Sequence, residues 1–368
     1  MKKIVFLHSS SELYGSDRSL LNLIKYMDKS KYSIFVILPC DGPLVEELKN
    51  IGVNVVIKEI AVLRRKDLAF FNMCKYIKNF FKSVLFLKKF FKENNIDIVY
   101  TNTSVIFVGG VAAKLTRKKS IWHVREIISN KFERMIVGKM VNIFSDIIIA
   151  NSKATGEAIT KNKNKLRVVY NAIEVKDDFC IKDKKTDNIV IGMAGRINRW
   201  KGQGLFVDMA EKVLKEEKQV KFLIAGEVYQ GEDALRVNLK NKIKEKNLSE
   251  KVILLGLVNN MNEFYKGLDI FVLPSIKPEP FGLVVIEAMS HKLPVVATNH
   301  GGPVEIIDNE VDGFLVNYEN AEEMSKVVLK LIRDKSLRDK IASNAKSKVD
   351  RKFTIKSYVG SIEKILSE

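Results

Sequence analysis

The chain has 368 residues, of which 46% are hydrophobic and 29% charged, with mean hydropathy −0.04 and formal net charge +18. That length and balance suit a folded protein of about two domains and exclude a disordered chain. No apolar run approaches the roughly 18 uncharged residues of a spanning helix, and the N-terminal MKKIVFLHSSSELYG turns polar too soon for a secretory leader.

Cys40, Cys74 and Cys180 are scattered and odd in number, which speaks for a reducing cytoplasm and against a disulfide framework or structural zinc. His8, His123, His291 and His300 have no metal-ligand spacing, so no metal site is expected. The charge is unevenly spread. Residues 1–174 hold 30 Lys plus Arg against 15 Asp plus Glu, a net of +15, and the remainder holds 32 against 29, a net of +3. A basic half implies nucleic acid, an anionic membrane surface or an acidic ligand.

In chain order, KKIVFLH, YSIFVILP, GVNVVIK, DIVYTN, SIWHV, DIIIAN and LRVVYN have strand length and composition. Helical patterns such as SDRSLLNLIKYMD lie between them, the alternation of a parallel sheet covered on both faces. A charged, weakly patterned stretch, VKDDFCIKDKKTDN, then interrupts the pattern. The alternation resumes with NIVIGMAGR, VKFLIAGE, VILLG, IFVLPS, LPVVAT and GFLVN, and the chain is helical from about Ala321. The expected organisation is a domain over 1–174, a linker over 175–188 and a second domain over 189–345. A C-terminal helix over 346–368 is expected to return to the first domain. Both domains read as Rossmann-like, doubly wound α/β sheets facing across a cleft, with ligands at the carboxyl ends of the strands.

Four places offer chemistry. The first strand runs through SSSELYGSD into a helix, so Gly15 lies where backbone amides meet a phosphate, or in an ordinary turn with Ser16 as N-cap. After NIVIGMAG, Arg196 and Lys201 stand on the loop RINRWKG, where a planar fork and a point charge suit a diphosphate. KPEPFGLVVIEAM sets Glu279 and Glu287 on either side of seven residues, with a helix starting at Gly282, Leu283 and Val284. Read alone, the pair is a dipole-compensating glutamate at the helix start and a solvated one on its outer face. Gly301 and Gly302, in VVATNHGGPVEII, again join a strand to a helix.

The segment 70–91, FFNMCKYIKNFFKSVLFLKKFF, has seven Phe and five Lys and no acid. Its apolar residues follow helical spacing, with Lys75, Lys78, Lys82 and Lys89 between them. It reads as a helix packing Phe on the sheet, or as a face lying with Arg64, Arg65 and Lys66 on an anionic membrane.

RINRWKG, the spaced glutamates, VVATNHGGPVEII with DGFLV, and VVYNAIE together resemble the retaining GT-B glycosyltransferases of the large family of capsule, O-antigen and lipid-glycan enzymes. YGSDRSLLNL is similar to the family's glycine-rich loop but has Gly-Ser-Asp where many members have Gly-Gly-Ala, and HVRE at 123–126 resembles its histidine segment. The resemblance implies a GT-B architecture and a nucleotide-sugar donor, UDP-linked more often than GDP-linked. It also implies a glycan or lipid-linked acceptor at the inner face of the plasma membrane. Arg196 and Lys201 would hold the diphosphate, Glu287 the ribose, Glu279 the transferred sugar and Gly15 a phosphate, with His123 beside the reaction centre. The chain has no DxD, consistent with metal-free, cofactor-free work. Retention would follow from same-face attack in preference to a covalent Glu279 intermediate. Two alternatives stand beside the transferase: a nucleotide-sugar 2-epimerase of the same architecture and a non-catalytic sugar-binding protein. No nucleic-acid motif is present.

Overall fold

The computed structural model describes residues 1–63, 70–174, 188–229 and 231–368. The chain divides into two compact units, one formed by Met1–Ala172 with Ile355–Glu368, the other by Ile173–Thr354. Most of the stretch expected to link them, 175–187, lies outside the described residues.

In the first unit the strands are β1 (Lys2–Leu7), β2 (Tyr32–Leu38), β3 (Asn54–Ile57), β4 (Ile98–Thr101), β5 (Lys119–Val124), β6 (Ile147–Ala150) and β7 (Leu166–Val168). They pair in parallel in the order β3-β2-β1-β4-β5-β6-β7. The helices are α1 (Gly15–Tyr26), α2 (Pro43–Asn50), α3 (Phe70–Glu93), α4 (Phe107–Thr116), α5 (Lys131–Phe144) and α6 (Lys153–Ile159). Because side chains alternate along each strand, the sheet has two apolar faces. Ile4, Phe6, Ile98, Tyr100 and Ile121 pack with α1, α2 and the C-terminal helix. Val5, Leu7, Val99, Trp122 and Val124 pack with α3, α4 and α5.

The second unit repeats the plan with β8 (Ile189–Ala194), β9 (Val220–Ala225), β10 (Val252–Gly256), β11 (Ile270–Leu273), β12 (Val295–Thr298) and β13 (Phe314–Val316). They form a parallel sheet in the order β10-β9-β8-β11-β12-β13. Its helices are α7 (Gln203–Glu216), α8 (Asp233–Glu245), α9 (Met261–Lys266), α10 (Leu283–Ser290), α11 (Pro303–Ile306), α12 (Ala321–Arg333) and α13 (Lys335–Lys352). The final helix, α14 (Ile355–Ser367), belongs to the first unit. The stretch expected as one C-terminal helix from 346 therefore divides, residues up to Lys352 staying in α13 of the second unit. Tyr358, Val359, Ile362 and Leu366 of α14 are buried in the first unit's core, and Lys2 donates to the Leu366 carbonyl at 3.1 Å.

In each sheet the strand order reverses once, between β1 and β4 and between β8 and β11. At such switch points the loops from neighbouring strands diverge and leave a crevice at the carboxyl ends.

Candidate functional site

At the second unit's switch point, β8 ends in Ala194 and is followed by Gly195 and the loop carrying Arg196 and Lys201. The loop is shaped from within. Asn198 accepts from the backbone N–H groups of Trp200 and Lys201, at 3.1 and 2.9 Å, while the buried Gln203 amide donates to the Arg196 carbonyl at 3.0 Å. Gly202 (φ 76°) starts α7, and a Cβ there would stand 1.8 Å from the Pro274 carbonyl oxygen, so only glycine lets this turn press against the end of β11. The Arg196 guanidinium lies 3.4 Å from the centroid of the Tyr229 ring. Stacking on the ring engages the face of the guanidinium, whose N–H groups lie in its plane.

The loop after β11 delivers Glu279, a carboxylate only 5% exposed. Both of its oxygens receive the Lys201 ammonium, at 2.8 and 2.9 Å, and one also accepts from Ser275 Oγ. The ammonium has three N–H groups, of which the carboxylate takes at most two. Lys201 is therefore fixed in place with donor capacity left. Glu287, on α10, is half-buried and accepts from the Tyr265 hydroxyl at 2.8 Å. The Tyr265 ring is 1% exposed, edge-on to Phe271 and 5.0 Å from His291.

α10 begins at Leu283 and Val284 after N-cap Gly282, and the first amides of a helix have no intrahelical acceptor. The diglycine serves a different purpose from the one its position suggests. Gly302 donates its N–H to the Glu279 carbonyl at 2.7 Å, and a Cβ on Gly301 (φ 67°) would meet that same oxygen at 2.4 Å. Gly301 and Gly302 thus clamp the backbone of Glu279 and do not present both amides to an anion.

The first unit's switch point is occupied by its own side chains. Gly15 does open α1, but the N-cap is Tyr14, not Ser16. A carboxylate already stands in the first turn: Asp17, 1% exposed, accepts from Tyr14 N–H at 2.9 Å and lies 2.6 Å from His8 Nε2. Asn102, just after β4, joins His8 to Arg125, accepting from Arg125 Nε at 2.8 Å. The remaining guanidinium nitrogens reach Ser19, Asn171, Tyr358 and His123.

His123 is fully buried. Its Nδ1 accepts from the Tyr100 hydroxyl at 2.7 Å and from Arg125 at 3.2 Å, which puts the proton of the neutral ring on Nε2. Burial, and then the Arg125 charge, hold it well below the ordinary imidazole range. It is the penultimate residue of β5, at the carboxyl end of the strand, and its buried Nε2 has no hydrogen-bond partner among the described residues.

On α3, Lys75, Lys78 and Lys82 line a cavity of about 710 Å3 with Pro39, Ile60 and Val62, at the carboxyl side of β2 and β3. Lys89 is exposed beside Glu93, at 3.7 Å. Arg64, Arg65 and Lys66 lie outside the described residues.

Lys201 and Glu279 are therefore in contact, and Arg196 and Glu287 each have a tyrosine partner. Tyr229, Tyr265, Ser275 and Gln203, which orient these groups, went unrecognised in the sequence. Their partners lie up to 33 residues away and only the fold joins them.

Residues 14–177 match the family model "Glycosyltransferase Family 4", and 175–348 match "Glycosyl transferases group 1". The chain is similar to the "Capsular polysaccharide biosynthesis glycosyltransferase CapM" of Staphylococcus aureus, at 25% identity over 90% of this chain and 88% of that protein. It is equally similar, at 25% identity, to the "UDP-Gal:alpha-D-GlcNAc-diphosphoundecaprenol alpha-1,3-galactosyltransferase" of Escherichia coli, over 98% of this chain and 95% of that one. Among solved structures, HepE of Anabaena in complex with UDP and glucose superposes with TM-score 0.85, at 25% identity and full coverage of both chains.

Proposed function

Because the chain belongs to the GT-B glycosyltransferase family, of the group 1 and family 4 type, we propose that it moves a hexose-type sugar from a nucleotide-sugar donor to a glycan or lipid-linked acceptor in surface-polysaccharide biosynthesis. A UDP-linked donor is favoured over a GDP-linked one. The supporting likenesses are the UDP complex of HepE and the UDP-galactose-dependent relative of E. coli. The observation that carries the reading is the convergence of Arg196, Lys201 and Glu279 at one switch point, next to the start of α10.

In this reading Arg196, Lys201 and the first amides of α10 hold the diphosphate. Glu287 takes the ribose, and Glu279 takes the sugar while anchoring Lys201. As the bond between the anomeric carbon and the diphosphate oxygen breaks, negative charge grows on the diphosphate, where fixed cations and helix-start dipoles stabilise it. The acceptor oxygen bonds to the anomeric carbon from the face the leaving group departs, and its proton passes to a donor phosphate oxygen. The configuration is retained and no enzyme nucleophile is needed. Two fixed cations take the part a metal ion would play, so chelator leaves turnover intact. The lysines of α3 face the bilayer that carries the acceptor, at the inner surface of the plasma membrane. Among the described residues no helix is long and apolar enough to cross a membrane.

A thermal-shift panel of UDP, GDP and their sugars tests the reading, followed by release of nucleotide from the donor that stabilises most. UDP and one UDP-sugar should raise the unfolding midpoint, and Glu287→Ala should weaken that response. If no nucleotide stabilises the protein, the reading fails. Conversion of the donor to an epimer without acceptor would replace it by the 2-epimerase.

A further inference from the structure

β12 ends in Thr298 and leads through Asn299 and His300 to the diglycine. These residues run beside the loop that leaves β11 and hold it at both ends. At the far end Gly302 donates to the Glu279 carbonyl, and Gly301 pairs with Glu279 as an isolated parallel bridge. At the near end Thr298 Oγ1 and His300 Nε2 both reach the Ser275 carbonyl oxygen, each at 2.8 Å. A carbonyl only accepts, so both contacts are donations and the hydrogen of the neutral His300 ring lies on Nε2. Together they take both lone pairs of that oxygen. Tyr318 stacks on the His300 ring at 5.1 Å and 7°, which sets the plane of the imidazole.

The Ser275 carbonyl belongs to the same peptide group as the Ile276 N–H, which donates to the Trp200 carbonyl at 2.8 Å. That peptide plane is fixed from both edges, by the end of β12 on one side and by the loop of Arg196 and Lys201 on the other. Ser275 in turn sends its hydroxyl to Glu279, the carboxylate that holds Lys201. We propose that His300 is a positioning residue for Glu279, acting through the Ser275–Ile276 peptide. The half-buried imidazole meets the loop through a directed N–H, so its role is orientation more than apolar packing. Without that donor Thr298 alone restrains the carbonyl edge, the peptide tips, and the Ser275 hydroxyl no longer aims the carboxylate. The inference rests on the reading of Glu279 as the group that takes the transferred sugar, and it adds the residue that keeps Glu279 aimed. UDP lacks that sugar, and Lys201 keeps its bond to Glu279 in either case. His300 therefore matters more to a UDP-sugar than to UDP.

Hydrogen exchange of the ligand-free full chain reads the first step. His300→Leu should speed exchange of the Ile276 amide about 10-fold. His300→Gln, whose side-chain N–H reaches as far as the imidazole Nε2–H, should restore the protection of the parent. Titration calorimetry reads the second step. His300→Leu should weaken binding of the UDP-sugar that stabilises the parent most by about 10-fold, and of UDP by at most about threefold, with His300→Gln close to the parent for both. In a Ser275→Ala background His300→Leu should change UDP-sugar affinity by less than about twofold, because its effect passes through Ser275. Parent-like exchange or parent-like UDP-sugar affinity in His300→Leu overturns the proposal. Equal weakening of UDP and UDP-sugar also overturns it, because His300 would then prop the whole wall, and so does failure of His300→Gln to restore either readout. A parent chain that binds no nucleotide counts against the donor reading, whereas the exchange comparison still decides whether His300 holds the loop.

Discussion

The two units share a strand order around one reversal and use that reversal in opposite ways. In the second, Arg196, Lys201, Glu279 and Glu287 are oriented by neighbours, and the Lys201 ammonium keeps donor capacity beyond the Glu279 carboxylate. In the first, the equivalent place is filled by His8, Asp17, Asn102 and Arg125, which satisfy one another. A fold therefore supplies a crevice, and the side chains at the strand ends decide whether its polar groups keep spare capacity or satisfy one another.

The largest effect should come from opening the closed network. Arg125→Met removes the five guanidinium hydrogen bonds to Asn102, Ser19, Asn171, His123 and Tyr358 and leaves the Asn102 oxygen without its donor, while Asn171 keeps Ser19 and His123 keeps Tyr100. At about 0.5–1.5 kcal/mol net for each lost hydrogen bond, a loss of about 3–5 kcal/mol is expected in urea unfolding, with UDP affinity of the folded protein retained. An unchanged urea midpoint would mean that this cluster is not structural and would erase the contrast. Arg196→Ala should show the reverse. Nucleotide release should fall about 10²- to 10³-fold, with the unfolding midpoint within about 2 °C of the parent. A rate within threefold of the parent would remove Arg196 from the donor site.

His123 sharpens the same contrast through pH. In the folded chain its titration is depressed, so it stays neutral where the unfolded imidazole, at its ordinary value near 6.5, takes up a proton. Its contribution is complete above that value and is lost as pH falls below it, at most about 1.4 kcal/mol per pH unit. Between pH 7.5 and 5.5 the parent should lose about 1 kcal/mol more than His123→Gln, followed by urea midpoints. His291, also depressed by burial, adds the same trend to both proteins and cancels from the difference. Parallel profiles would mean that His123 is accessible to protons, as a ligand-facing group would be.

Much of the second unit could be read along the chain, because the groups proposed to hold the donor sit at strand ends beside glycine-marked turns. RINRWKG and KPEPFGLVVIEAM are local patterns, and Lys201 and Glu279 do meet. The first unit was less legible. In SIWHVRE, Ile121, His123 and Arg125 alternate with Trp122 and Val124, which identifies one face but not whether that face is covered. Tyr358, which completes the Arg125 cluster, is 233 residues away and arrives only because α14 packs in this unit. α5 was opaque for another reason. Phe132, Met135, Ile136, Val137, Val141 and Ile143 put apolar groups on both sides of the helix, so periodicity does not tell the buried stripe from the exposed one.

The smallest predicted effect concerns a group that no local pattern disclosed. The Tyr265 hydroxyl donates to a Glu287 oxygen, while its ring is held by Phe271 and His291. Tyr265→Phe keeps the ring packing and deletes one hydrogen bond to a carboxylate, so Glu287 gains rotational freedom without losing its charge. If Glu287 binds the ribose, UDP affinity should fall about 3- to 10-fold, the scale of one hydrogen bond. Titration calorimetry reads that change directly, and thermal unfolding of ligand-free protein should move by only a few degrees. The decisive comparison is a double-mutant cycle. In a Glu287→Ala background Tyr265→Phe should leave UDP affinity unchanged, because the tyrosine would act only through the carboxylate. A second loss of affinity in that background would instead make Tyr265 a direct contact of the nucleotide, or a prop for the whole wall of the site.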